Sequence, residues 1–227
     1  MAATTFPLVR SLTLLLLLAL TTCATPLGKR SLLVIGDSNG EREGWAYQFQ
    51  ELRGGGPFVN TSLSGNTLGY DYGSNTSMNT LENLTTYLRR GYAEMGAIDD
   101  IIIMLGTNDC KARFRDNRSG PGDHLIELLE RTNRFFNERG QPAPRIVVAT
   151  PPSFGPDDKV PEEFRGGQEC ISTYSRQVLQ IAQERGLCVV NLRESPGDDI
   201  QVFSEDGIHF SEPGYVAIAR AILDECY

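Results

Sequence analysis

Imidazole is scarce in this chain: there are two histidines in 227 residues, beside five cysteines. A metal centre built from His and Cys has little to draw on. Neither Cys-x-x-Cys nor His-Glu-x-x-His occurs, so no metal and no other cofactor is expected. Basic residues are in deficit, 21 Lys and Arg against 29 Asp and Glu, for a net charge of -8. Such a surface repels phosphate backbones and argues against a nucleic-acid partner. The single tryptophan, Trp45, reads as core. Gly54-Gly55-Gly56 lacks the Lys-Ser/Thr of a phosphate-binding loop and reads as a turn. What remains is globular: 40% hydrophobic and 22% charged residues, in a length that suits one domain plus a processing segment.

No Asp or Glu precedes Asp37, and Arg10 stands just before the apolar run LTLLLLLAL at residues 12–20. A short apolar run behind one positive charge matches a secretory signal peptide. It is shorter than the roughly 20 apolar residues that span a bilayer, so no membrane span is expected in the mature chain. Thr22-Cys23-Ala24 supplies small residues for a cut after Ala24. A second reading leaves Cys23 as the lipid-anchored N-terminus of a lipoprotein. The expected organisation is a signal peptide at 1–24, a short lead-in at 25–30 and one globular domain at 31–227, secreted or periplasmic. Export leaves Cys110, Cys170, Cys188 and Cys226, an even number in an oxidising compartment. Four sequons, at Asn60, Asn75, Asn83 and Asn117, are glycosylation candidates only in a eukaryotic host.

Apolar runs at residues 31–35, 58–63, 101–105, 145–150 and 188–192 predict strands. Helical spacing predicts helices over 43–52, 79–92, 124–138, 171–185 and 213–225, with Gly186 as a C-cap. Strands alternating with helices of this length make a parallel sheet covered on both faces. Active sites of such folds lie beyond the carboxyl ends of the strands. Element order also favours disulfides Cys110–Cys170, near that edge, and Cys188–Cys226, at the other.

Four polar blocks fall at the predicted reactive edge: Gly36-Asp37-Ser38-Asn39-Gly40, Ser64-Gly65-Asn66, Gly106-Thr107-Asn108-Asp109 and Asp206-Gly207-Ile208-His209. A serine hydroxyl is a poor nucleophile and needs a base within hydrogen-bond reach. Of the two imidazoles, His124 opens a helix behind Gly120-Pro121-Gly122-Asp123 and reads as a solvated helix-start residue. His209 follows Asp206 by three, a spacing that lets the carboxylate curl back to one ring nitrogen and leave the other for Ser38. Gly36-x-Ser38-x-Gly40 also fits the elbow of α/β-hydrolases. That fold sets several strands ahead of its nucleophile and its acid far from its histidine, so the elbow reading is set aside.

Taken in order across the chain, Ser38, Gly65, Asn108 and His209 resemble the four signature residues of the SGNH hydrolases, also called GDSL esterases and lipases. The stretch Met104-Leu105-Gly106-Thr107-Asn108-Asp109 with Lys111 is most similar to the arylesterase and lysophospholipase-like branch. Asn39 departs from the usual Leu after the serine. The resemblance implies a three-layer α/β/α sandwich with a five-stranded parallel sheet of flavodoxin-like topology. It also implies an oxyanion hole made of the Ser38 N–H, the Gly65 N–H and the Asn108 amide. Glycine permits close backbone approach, and a neutral amide keeps its proton at any working pH. Ser38, Asp206 and His209 are then the catalytic residues of a serine esterase acting on carboxylic esters, short-acyl ones first. The competing substrates are O-acetylated polysaccharide and lysophospholipids or thioesters. A silent carbohydrate- or lipid-binding module is the non-enzymatic rival. Asp109 and Lys111 read as loop-ordering or solvent-facing. Residues 151–161, a rigid polar loop, and 68–79 are expected to shape the acyl and alcohol pockets.

Overall fold

The computed structural model describes residues 25–117 and 120–227. The expected leader, with Cys23 and Ala24, lies outside the described residues, as do Arg118 and Ser119 of the last sequon. Five strands form one sheet: β1 (Leu32–Gly36), β2 (Phe58–Asn60), β3 (Asp100–Met104), β4 (Arg145–Ala149) and β5 (Cys188–Val190). Their order is β2-β1-β3-β4-β5, and every neighbouring pair is parallel. Leu33 lies opposite Val59 on one side and Ile101 on the other, and Ile101 opposite Ile146. This is the doubly wound order expected, with its reversal between β1 and β3.

The strands read as unbroken apolar runs because both faces are covered. On one face Leu33, Ile35, Ile101, Ile103, Ile146 and Val148 pack under α2 (Thr80–Met95), α3 (Pro121–Asn137) and α4 (Gln168–Arg185), through residues such as Leu88, Leu128 and Val178. On the other, Leu32, Val34, Ile102, Met104, Val147 and Ala149 pack under α1 (Trp45–Leu52) and α5 (Glu212–Cys226), through Trp45, Phe49, Ile218 and Ile222. Each such side chain taken from water contributes about 1.5–3 kcal/mol. Asn79 caps α2 through its side chain, and left-handed Gly96 and Gly186 end α2 and α4. Both expected disulfides are present, Cys110–Cys170 and Cys188–Cys226. Among the described residues no helix is long and apolar enough to cross a membrane.

Arg30, at the end of the lead-in, grips buried Asp100 with two hydrogen bonds, of 2.6 and 2.9 Å. Two expectations need correction. Helix α3 begins at Pro121, so His124 is not a solvated helix start. It is half-buried, edge-on to Tyr70 at 4.7 Å, and packs against Gly69. Burial lowers the pKa of its imidazole, against the pull of Glu127 and Asp123. The 151–161 loop is not simply polar. Residues 151–155 and Val160 are buried, and Phe154, Val160 and Phe164 form a small apolar cluster with Ile208 and the Cys110 end of its disulfide. Three sequon asparagines are hydrogen-bonded: Asn60 donates to the Gly40 carbonyl (2.7 Å), Asn75 accepts the Ser77 N–H (2.9 Å), and Asn83 donates to the Thr76 and Asn79 carbonyls (2.8 Å each).

Candidate active site

Chain leaves β1 at Gly36 and enters a 3-10 turn, Ser38–Gly40, capped by Asp37, whose carboxylate accepts the Asn39 N–H at 3.0 Å. The turn lifts Ser38 to partial exposure at the sheet's carboxyl edge while Asp37 and Asn39 stay buried. Burial raises the Asp37 carboxyl, and hydrogen bonds from Asn39 and Thr107 oppose the rise. Across the edge, residues 204–211 lead from β5 into α5. There the Asp206 carboxylate accepts the backbone N–H of Ile208 (2.9 Å) and of His209 (2.7 Å) through one oxygen. Its other oxygen meets His209 Nδ1 at 2.7 Å. His209 Nε2 then lies 2.9 Å from Ser38 Oγ.

Partial burial alone would raise the Asp206 pKa; the hydrogen bonds from the His209 ring and the two N–H groups prevail and hold it below the usual range. An ionised carboxylate can only accept, so Nδ1 carries the ring proton and Nε2 offers its lone pair to the Ser38 hydroxyl.

Gly65 follows β2 at φ +83°, in the left-handed region glycine favours, and a Cβ there would lie 2.7 Å from Met78 Sδ. Asn108 is buried after β3, and one of its two amide protons is held by the Asn66 carbonyl at 3.1 Å. Asn66 in turn donates to the Gly36 carbonyl at 3.0 Å. The ends of β1, β2 and β3 are thus stitched to one another by side-chain amides. The five residues expected from sequence, Ser38, Gly65, Asn108, Asp206 and His209, all come to this edge.

Two neighbours, Tyr215 and Tyr72, were not visible in the sequence. Tyr215, six residues beyond His209, donates to Asn39 Oδ1 and accepts the Phe210 N–H, both at 3.3 Å. The unusual Asn39 thereby joins the serine turn to the histidine loop, which a Leu could not do. Tyr72 donates to the Gly65 carbonyl at 3.0 Å. Lys111, expected to be loop-ordering or solvent-facing, is 9% exposed and paired with Glu163 at 2.8 Å. Asp109 also orders a neighbouring loop: it accepts the Leu68 N–H with both oxygens at 3.0 Å. Burial pushes its pKa up to about 7, with a further push from Asp37 and a counter-pull from the N–H groups of Leu68 and Gly69. Only an i, i+3 motif such as Asp206 to His209 is readable locally. Tyr72 and Tyr215 touch the site through tertiary contacts that no spacing rule reports.

Residues 28–217 match the profile of the GDSL-like Lipase/Acylhydrolase family. None of the curated proteins matches the chain. Among solved structures, a carbohydrate acetylesterase from Sinorhizobium meliloti is 24% identical with a TM-score of 0.68, over 86% of this chain and 97% of that one. The native aryl esterase of M. smegmatis is also 24% identical, with a TM-score of 0.65 over 86% and 99%. At that identity the two structures speak for the fold.

Proposed function

The chain belongs to the GDSL-like lipase/acylhydrolase family, and from that premise we propose that it is an exported serine esterase using Ser38, His209 and Asp206. The observation that carries this reading is the unbroken hydrogen-bonded series Ser38 Oγ, His209 Nε2, His209 Nδ1 and Asp206 Oδ2, at 2.9 and 2.7 Å. Ser38 Oγ attacks the ester carbonyl while Nε2 takes its proton. Asp206 stabilises the imidazolium that forms. The oxyanion is received by the N–H groups of Ser38 and Gly65 and by the second amide proton of Asn108. Nε2 then protonates the leaving alcohol, and water repeats the sequence on the acyl-enzyme.

Short acyl groups on bulky polar alcohols suit the site best. The Asp206 and His209 side chains are 39% and 45% exposed, so the leaving group faces an open surface. An O-acetylated carbohydrate fits that description, as does the activity named for the S. meliloti neighbour. Two disulfides suit an exported enzyme. Against a chromogenic acetyl ester, Ser38→Ala should lose at least about 10⁴-fold in kcat while folded. Wild-type turnover by that variant would end the proposal. A panel of acetylated sugars, aryl acetates, acyl thioesters and lysophospholipids ranks the substrates.

A further inference from the structure

The Gly65 turn is the least self-supporting part of the oxyanion hole. A glycine has no side chain with which to hold itself, and its φ of +83° is not enforced by a helix or strand. The turn is held from outside. Asn66 N–H bonds the Leu63 carbonyl (3.0 Å), the Asn66 carbonyl takes the Asn108 amide (3.1 Å), and the Gly65 carbonyl takes the Tyr72 hydroxyl (3.0 Å). Of the side chains among these partners only Tyr72 lies outside the signature blocks.

Beside Tyr72 stands a charged pair. The Lys111 ammonium sits 5.5 Å from the Tyr72 ring centre and 4.9 Å from that of Phe164. The Glu163 carboxylate holds Lys111 at 2.8 Å. A positive charge beside a buried phenol makes its hydroxyl a better donor, so Lys111 strengthens the Tyr72 bond to the Gly65 carbonyl. Burial keeps the phenol protonated by raising its pKa, although Lys111 works the other way. The disulfide anchors both ends of the charged pair: Cys110 precedes Lys111, and Cys170 opens the helix that follows the Glu163 turn.

We propose that Tyr72 and Lys111 are positioning residues of the oxyanion hole, Tyr72 by fixing the Gly65 carbonyl and Lys111 by packing against the Tyr72 ring and polarising its hydroxyl. The proposal rests on the esterase reading above. Neither residue touches substrate. Their contribution is to keep the Gly65 N–H where the oxyanion forms, and small misplacements at such a point are costly.

The test uses the full mature chain, an aryl acetate and a fluorophosphonate that labels Ser38. Tyr72→Phe keeps the ring and its edge contact with Phe114 at 5.3 Å. It should lower kcat and the labelling rate together, about tenfold, with KM within about twofold. Lys111→Met should lower kcat about threefold in the wild type but not further in the Tyr72→Phe background. Loss of the Lys111 effect in that background supports the relay. An equal Lys111 effect in both backgrounds overturns it, as does a Tyr72→Phe variant with a lower Tm and unchanged kcat. Absence of Ser38-dependent turnover in the wild type would instead refute the esterase reading, and the proposal with it.

Discussion

Replacing Asp206 by Asn tests the base assignment most sharply, because it changes one heavy atom and almost no volume. One oxygen of Asp206 accepts two backbone N–H groups, at 2.9 and 2.7 Å, and the other faces His209 Nδ1 at 2.7 Å. An asparagine must choose. If its oxygen keeps the two N–H groups, its NH₂ points at Nδ1, which must then accept. The ring proton moves to Nε2, and Nε2 can no longer take the Ser38 proton. If the amide flips to serve Nδ1, its NH₂ confronts two N–H donors. Each abandoned bond costs about 1–3 kcal/mol, so the flip costs about 2–6 kcal/mol. The lost carboxylate charge on the imidazolium adds to either route. A total of about 4–5.5 kcal/mol corresponds to about 10³–10⁴ in kcat, at 1.36 kcal/mol per tenfold. Steady-state hydrolysis of an aryl acetate measures kcat, and fluorophosphonate labelling of Ser38 should slow in parallel. A folded Asp206→Asn variant retaining more than about a tenth of wild-type kcat would show that the carboxylate does not govern the tautomer.

Asn108→Ala removes one oxyanion donor and should reduce kcat by about 10²–10³ with little change in KM; a loss confined to KM would place Asn108 in ground-state binding. Cys110→Ser/Cys170→Ser opens a link spanning 60 residues, and loop-closure entropy puts the stability loss near 4 kcal/mol by denaturant titration. An unchanged unfolding midpoint would contradict that. Asp109, pushed up to about 7, binds its proton more tightly folded than unfolded. Its contribution to stability is therefore full below about pH 4, the unfolded value, and is lost as pH rises through about 7. Wild-type Tm should fall more steeply from pH 5 to pH 8 than that of Asp109→Asn; parallel curves would show that the group does not titrate there.

How much was legible follows from what each feature depends on. The five strands announce themselves because a doubly covered sheet needs continuous apolar runs, and residues 101–105 supply one without interruption. Ser38, Gly65, Asn108 and the Asp206–His209 pair are legible because each lies in a short block whose chemistry needs those residue types. The 151–161 loop misled because Phe154 and Val160 follow neither a helical nor a strand period, so their burial beneath Ile208 has no local signature. His124 misled for a related reason: one turn of helix lay ahead of it, and its ring contact is with Tyr70, 54 positions away in a different connection. Asn39 was visible as a departure, but its meaning required the position of Tyr215.

The topology itself explains why the reactive groups face one another. The connections carrying Gly65 and Asn108 run from β2 and β3 toward α2 and α3, on one face of the sheet. The connection carrying Asp206 and His209 runs into α5, on the opposite face, beside α1. Ser38 ends β1, next to the reversal of strand order, and stands between them. Acyl transfer needs this opposition, because the oxyanion and the leaving group project from different sides of the attacked carbon. A doubly wound sheet provides it through the direction in which each crossover turns, before any side chain is chosen. What the side chains add is tolerance: Asn66, Asn108 and Tyr215 tie the loops to each other by hydrogen bonds of 3.0 to 3.3 Å, and Tyr72 braces the Gly65 turn within its own connection. Loops that would otherwise move independently are thereby held to one geometry, which acyl transfer requires within a fraction of an ångström.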